Sequence, residues 1–189
     1  MSQHALSGAR SLSCNGDRVE PFAAGSATPA RSFTDPAKTR IRSIQGLDRL
    51  PNLVSLGVTN NGITDLTPLA DLTKLTSIKL TSIKLTNNKV TDLTPLAGLP
   101  ALNNMGVSYN SVADLTPLAH INTLRSLGLA KNQISDLTPL AGLTFLSTVD
   151  VSENLVSDLT PLAHLTQLSG QVCKFVGDQA AVGSPRSGV

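Results

Sequence analysis

The stretch "LRSLGLAKNQISDLTPLAGL", residues 124–143, decides the fold because its spacing recurs along the chain. The hexapeptide DLTPLA starts at Asp65, Asp92, Asp114, Asp136 and Asp158, in steps of 27, 22, 22 and 22 residues. Counted from Asn132, apolar residues stand at positions −8, −5, −3 and +2, and three more follow at three-residue spacing. A period of this length is typical of repeat arrays, in which each unit packs on its neighbours.

The alternation of apolar and polar residues before each asparagine predicts a short strand with one buried face. One strand per repeat stacks into a parallel sheet, and each coil needs neighbours because it cannot bury its leucines alone. The asparagines fall where the chain leaves the strand. We expect their amides to satisfy backbone groups in the turn. They are Asn61, Asn88, Asn110, Asn132 and Asn154.

The DLTPLA segment predicts a short 3₁₀ or helical turn on the convex side of each coil. Thr67 is the expected cap and Pro68 the first helical residue, where a missing N–H costs nothing. Thr94, Thr116, Thr138 and Thr160 are placed identically. The aspartates form a column that we interpret as solvated turn caps. A calcium ladder is the alternative, but the dense acidic and glycine pattern of calcium-binding repeats is missing.

The unit LxxLxLxxNxIxDLTPLAxL resembles the leucine-rich repeat, and its 22-residue length with DLTPLA is similar to the repeat region of bacterial internalins. The resemblance covers residues 41–168. It implies an α/β solenoid, a right-handed leucine-rich-repeat superhelix with one short parallel strand and one short turn per coil. It also implies a scaffold that binds a protein partner on its concave sheet face.

We predict three segments. Residues 1–40 lack periodicity and are expected to be disordered, and no strand is recognisable in residues 31–40, which leaves the N-terminal edge poorly capped. Residues 41–168 form the solenoid, with a degenerate first half-coil that starts at Ile41 and about five full repeats. Residues 169–189 form a degenerate last coil and a flexible tail.

The sequence TSIKL occurs twice in a row, at residues 76–80 and 81–85, and accounts for the one step of 27 residues. The frame that leads to Asn88 uses the second copy, so we expect the strand at residues 82–86 and the first copy as a loop on the convex side. Five extra loop residues cost only about 0.5 kcal/mol of closure entropy. We interpret the insertion as a tolerated duplication, with a recognition loop as the alternative.

Composition and charge exclude several classes of function. The net charge is +2, and no basic stripe with interleaved aromatic residues appears, which argues against nucleic acid. No apolar run has the length of a membrane span. No secretory signal is visible at the N-terminus, so a cytoplasmic location is favoured, with an organelle transit peptide as the alternative. Cys14 and Cys173 lie on opposite flanks, which fits a reducing compartment.

We define the concave face as the fifteen polar-facing positions −6, −4 and −2 relative to the five asparagines. These positions carry small side chains and no Trp, Tyr or Arg, the residues that dominate binding hot spots. Larger side chains occur mostly at position −1. The candidate protein-binding residues are Lys84, Tyr109, Lys131, Asp150 and Glu153.

Catalysis finds no support in the sequence. His120 and His164 occupy the same repeat position two coils apart, roughly 10 Å by strand spacing, too far to share a metal ion. No phosphate loop or nucleophile elbow is present, so no enzyme activity, cofactor or metal is predicted. The leading hypothesis is a monomeric protein-binding scaffold. The alternatives are a truncated or remnant repeat protein without a ligand, an internalin-like surface adhesin, and a regulatory subunit like the leucine-rich-repeat partner of protein phosphatase one.

Overall fold

The repeats form one short strand and one short helical turn per coil. A computed structural model describes residues 11–15, 18–20, 40–47, 53–70, 72 and 80–169. Within this part of the chain the strands are β1 (Ser11–Asn15), β2 (Arg18–Glu20), β3 (Ser55–Gly57), β4 (Ser82–Lys84), β5 (Asn104–Gly106), β6 (Ser126–Gly128) and β7 (Thr148–Asp150). The helix α1 (Thr67–Ala70) and the 3₁₀ turns Thr94–Leu96, Thr116–Leu118, Thr138–Leu140 and Thr160–Leu162 alternate with them.

The described strands lie in one sheet in the order β2-β1-β3-β4-β5-β6-β7. From β3 to β7 every pair is parallel and every repeat is in the same register, with Ser55 opposite Ser82 and Ser126 opposite Thr148. The turns stack on one another in the same order. Sequence period and spatial period are therefore the same, as the sequence predicts for a solenoid.

The apolar positions of the repeat form one continuous core. In the coil of Asn132 the side chains at −8, −5, −3 and +2 are all buried. Leu124, Leu127, Leu129 and Ile134 are at most 1% exposed. The last described coil packs less completely, since Val156, Leu159 and Leu168 are only partly buried.

Each repeat asparagine joins two coils. The Asn132 Oδ1 accepts a hydrogen bond from the Val112 N–H of the preceding coil at 3.0 Å. Its Nδ2 donates to the Val107 carbonyl of that coil at 3.1 Å and to the Leu129 carbonyl of its own coil at 2.8 Å. Asn88, Asn110 and Asn154 repeat this pattern. The predicted role of the asparagines is confirmed.

The strand of the second repeat, β4, lies within the second copy of TSIKL. Ile83 lies opposite Leu56 of β3, and Leu80 is buried at the −8 position. The strand is shorter than the predicted 82–86, but the Leu85 N–H still bonds to the Gly106 carbonyl at 2.7 Å. The predicted frame is confirmed. The predicted loop at residues 76–79 lies outside the described residues.

The aspartates, and not the threonines, cap the turns. The cap position of the second turn is Leu93, which makes no side-chain cap hydrogen bond, and Thr94 is the first helical residue. The prediction of threonine as the cap with proline at the first position is therefore wrong by one residue. In its place the Oδ1 of each aspartate accepts the threonine N–H at 2.8 Å in all five repeats. A carboxylate reaches this N–H because it stands two residues earlier, as in an Asx turn.

These hydrogen bonds lower the pKa of four exposed aspartates. The Thr67 hydroxyl, and after it the Thr67 N–H, hold the pKa of Asp65 below its usual value. The same two donors of the following threonine lower the pKa values of Asp92, Asp136 and Asp158.

The structure differs from the sequence prediction near the N-terminus. β1 pairs in parallel with β3, Leu12 opposite Leu56, and β2 pairs antiparallel with β1. The pairing supplies backbone partners to an edge that the sequence left open. The rest of residues 1–39 lies outside the described residues, as do residues 170–189 of the degenerate coil predicted for 169–189.

We expect Asn132→Ala to lower the free energy of unfolding by about 1 to 3 kcal/mol, because it leaves the buried Val112 N–H without a partner. The Val107 and Leu129 carbonyls each lose one of two amide donors and keep Asn110 and Asn154 respectively. Equilibrium urea unfolding measures this loss. Asn122→Ala is the control, since Asn122 is exposed and should change stability by less than about 0.5 kcal/mol. Equal effects of the two substitutions would contradict the structural role of the buried amide.

Deletion of residues 76–80 should leave β4 in place and keep or slightly raise the free energy of unfolding, by about 0.5 kcal/mol. The remaining TSIKL copy supplies the −5 and −3 residues, and Leu75 takes the −8 position that Leu80 holds in the full chain. Urea unfolding and the circular dichroism spectrum test this expectation. A loss of more than about 1 kcal/mol would mean that Leu75 does not replace Leu80 or that residues 76–79 add to stability.

Replacement of Asp65, Asp92, Asp136 and Asp158 by asparagine should flatten the acid side of the stability curve. A carboxylate whose pKa is lowered on folding stabilises the protein above its unfolded pKa of 3.8, and this contribution is lost as the pH falls through the lower folded pKa. Asparagine keeps the accepting oxygen and does not titrate. Melting temperatures at about pH 6 and about pH 2.5 measure the difference, and parallel curves for the two proteins would rule the explanation out.

Candidate functional site

The concave face is built from strands in register, so equivalent residues of successive coils stand side by side. Most of its fifteen positions are exposed or half-buried, as predicted. Two are not. Gly57 is buried because β1 covers it, with the Ser13 Oγ 3.1 Å from where a Cβ would lie. Ala130 is 7% exposed, its short methyl group sunk between the neighbouring coils.

A groove of about 530 Å³ runs over β4, β5 and β6. Its floor includes Gly106 and Gly128, which lie opposite each other in the sheet. A Cβ on Gly128 would come within 3.3 Å of the Ser108 Oγ, so the groove depends on the missing side chain. The polar lining consists of Ser82, Lys84, Thr86, Asn104, Ser108 and Ser126. Lys84 is the one charged residue of this lining.

The residues at position −1 share a left-handed backbone. Asn60, Asn87, Tyr109, Lys131 and Glu153 have φ between 53° and 60°. This conformation costs roughly 1–2 kcal/mol for an ordinary residue. Hydrogen bonds to the next coil offset it: the Tyr109 N–H donates to the Ala130 carbonyl at 2.7 Å, and the Lys131 N–H donates to the Ser152 carbonyl at 2.9 Å. The backbone thereby fixes the direction of five side chains along the C-terminal edge of the strands.

Three predicted site residues meet in this column. The Lys131 Nζ lies 4.8 Å from the centre of the Tyr109 ring and 3.1 Å from the Glu153 Oε2. The hydrogen bond that Lys131 donates to the Glu153 carboxylate, together with the negative charge of that carboxylate, raises the pKa of Lys131. Tyr109 remains 49% exposed. We call Tyr109, Lys131 and Glu153 the edge triad.

The other two predicted residues lie apart from the edge triad and from each other. Lys84 is exposed on β4, and Asp150 is exposed on β7, three strands away. The Asp150 Oδ1 accepts hydrogen bonds from the Ser152 N–H at 3.1 Å and the Ser152 hydroxyl at 2.6 Å. The described part of the concave face therefore has a cation toward one end and an anion toward the other.

Histidine and acidic side chains are dispersed over the described part of the chain. Within these ranges no three His, Cys, Asp or Glu side chains lie close enough to hold a metal ion. His120 and His164 are exposed, as expected for surface residues. None of the described helices has the length and apolarity needed to cross a lipid bilayer.

Comparison with protein families matches residues 51–97 and 122–164 to the model for leucine-rich repeats in two copies. The family match and the parallel coils agree. This chain is a leucine-rich-repeat protein. Proteins of this kind generally serve as scaffolds for interaction with other proteins. A search of the curated proteins found no match.

Among solved structures, its repeats are similar to those of internalins. An internalin, InlF, from Listeria monocytogenes is 32% identical, with a TM-score of 0.69 over 89% of this chain and 42% of that chain. Internalin C2 of the same organism is 29% identical, with a TM-score of 0.54 over 92% and 84% of the two chains. The present leucine-rich-repeat chain therefore spans less than half the length of InlF. PEPR1–AtPEP1 is 21% identical, with a TM-score of 0.55 over 65% and 18%, and shows the fold alone.

Sequence reasoning missed one pair of residues in this leucine-rich-repeat protein. Arg125 directly precedes β6 and Phe145 stands three residues before β7, so both lie at the N-terminal edge of the strands. The Arg125 guanidinium carbon is 5.6 Å from the centre of the Phe145 ring. A signal existed in the sequence, because Phe145 stands where the two preceding repeats have Thr123 and Ala101. Their alignment across coils becomes visible only when the repeats are stacked.

Proposed function

We propose that this chain is a non-catalytic scaffold that binds one protein partner on its concave face. Lys84, Tyr109, Lys131, Asp150 and Glu153 are the proposed contact residues. The edge triad is the observation that carries the proposal. A half-exposed aromatic ring contacts a lysine that is itself paired with a carboxylate, at the rim of a face that is otherwise lined by small residues.

Preorganisation supports a binding role for this triad. Ordering a side chain at an interface costs about 0.5–1.5 kcal/mol, and the cost falls when the side chain is already fixed. The left-handed backbone and the contacts through Lys131 restrict all three side chains before a partner arrives. Tyrosine is also among the residues that dominate binding energy when buried at an interface.

The shape of the groove, whose floor carries small side chains, supports the same role. Where two glycines and several serines meet, the backbone of the sheet is accessible to a partner side chain or loop. A rigid groove with a polar lining and a rim of larger side chains matches the anatomy of protein interfaces, where anchors are surrounded by weaker contacts.

The test is affinity purification from a cell extract followed by reconstitution with the purified partner. The double variant Lys84→Ala, Tyr109→Asn should weaken binding by at least about tenfold. Asparagine is chosen at 109 because Asn60 and Asn87 adopt the same backbone conformation, so the fold is preserved. The matched control is His120→Ala, His164→Ala, which changes two exposed residues in the DLTPLA half of the repeat and should retain full binding.

Two outcomes would oppose the proposal. Equal binding by the wild type and by the Lys84, Tyr109 variant would show that the partner contacts another surface. A chain that folds cooperatively and captures no partner that reconstitutes with it would favour the remnant hypothesis.

A further inference from the structure

The large exposed apolar side chains of the described residues cluster in one half of the solenoid. Tyr109, Phe145 and Leu155 are 49%, 54% and 68% exposed, and all lie in the coils of β5 and β7. Tyr109 and Leu155 follow strands and Phe145 precedes one. Because parallel strands share their edges, apolar side chains flank the concave face on both edges.

Arg125 is held in place by the coil that carries Phe145. Its carbonyl accepts hydrogen bonds from the Ser147 N–H at 2.8 Å, the Ser147 hydroxyl at 2.9 Å and the Thr148 N–H at 3.0 Å. The Arg125 guanidinium carbon lies over the Phe145 ring, 5.6 Å from its centre, within the range of a cation–π contact. The planar fork of guanidinium N–H donors matches a carboxylate.

In the part of the chain that the structure describes, Arg125 has no acidic partner. Lys131 is neutralised by Glu153 at 3.1 Å. Among the described residues neither Arg125 nor Lys84 forms an ion pair. Lys84 lines the groove, and Ser126, which also lines it, directly follows Arg125. In the described part of the chain, Lys84 therefore lines the groove and Arg125 adjoins its lining, both without an ion pair. Asp150, the one carboxylate of the concave face, lies beyond the groove on β7.

We propose that the partner presents an acidic segment, in which a carboxylate binds the guanidinium of Arg125 and an adjacent apolar side chain packs against Phe145. This inference rests on the proposed function and specifies the chemistry of its partner. Lys84 attracts a second carboxylate about two strands away, roughly 10 Å. Asp150 repels the same segment and sets the direction in which it lies.

The experiment uses the full chain and a random dodecapeptide library displayed on phage. Peptides selected on the immobilised protein are synthesised and their affinities measured by fluorescence anisotropy. We expect Asp and Glu to be enriched over the unselected library. We also expect Arg125→Ala and Phe145→Ala each to weaken binding by about tenfold.

Three variants sharpen the result. Arg42→Ala removes one exposed positive charge outside the groove lining and should change affinity by less than about twofold. Arg125→Lys keeps the charge and loses the planar fork, so it should lose most of the affinity that Arg125→Ala loses. Asp150→Asn should bind the acidic peptides more tightly, because it removes the repulsion.

The outcomes separate the two proposals. Peptides without acidic enrichment, or acidic peptides that bind Arg125→Ala as well as wild type, overturn the acidic-segment inference. The concave-face proposal survives if the double variant Lys84→Ala, Tyr109→Asn still loses its affinity for such peptides. Peptides insensitive to all of these variants contradict both. If Arg42→Ala lowered peptide affinity as much as Arg125→Ala does, the protein would attract anions in general, nucleic acid included, and the inference would also be overturned.

Discussion

The buried asparagine amide is the interaction on which the rest of the structure depends. Each coil leaves the sheet through a turn that hides backbone groups from water, and an unpaired group there would cost on the order of 1–3 kcal/mol. The side chain of Asn88 satisfies the Ile63 N–H and the Val58 carbonyl of the preceding coil and the Leu85 carbonyl of its own. One residue therefore closes its own turn and fastens it to the neighbour. This explains why the array tolerates an insertion between repeats but keeps the same register on both sides of it.

The same turn creates the candidate site. The residue before each asparagine is driven into the left-handed region, and its N–H continues the ladder to the next coil. Its side chain has no place in the core and projects at the rim of the sheet. Where these residues are Tyr109, Lys131 and Glu153, they touch one another across coils that are 22 residues apart in sequence. The candidate contact residues thus stand at positions that the fold orients but does not bury.

Much of the fold could be predicted because a repeat array is nearly one-dimensional. Leucine spacing gave the strand, the turn and the frame at Ile83, since every coil meets the same neighbours. Local geometry was predicted less well. Thr67 was expected to cap its turn, yet the carboxylate of Asp65 reaches the N–H first. Of the site, the triad residues were recognised as candidates from their size and position, whereas Arg125 and Phe145 were missed because no single repeat contains both.

The sequence by itself determined the leucine-rich-repeat architecture, the register of β3–β7 and the role of the asparagines, because these follow from contacts that recur in every repeat. Tertiary structure alone decided the strand pairing at the end of the periodic region and the contacts between side chains that differ from coil to coil. The strand Ser11–Asn15 pairs with β3 although 44 residues separate Ser11 from Ser55, a distance that local pattern does not encode. The cation–π contacts of Arg125 with Phe145 and of Lys131 with Tyr109 likewise join side chains of different coils, which become neighbours only when the coils pack.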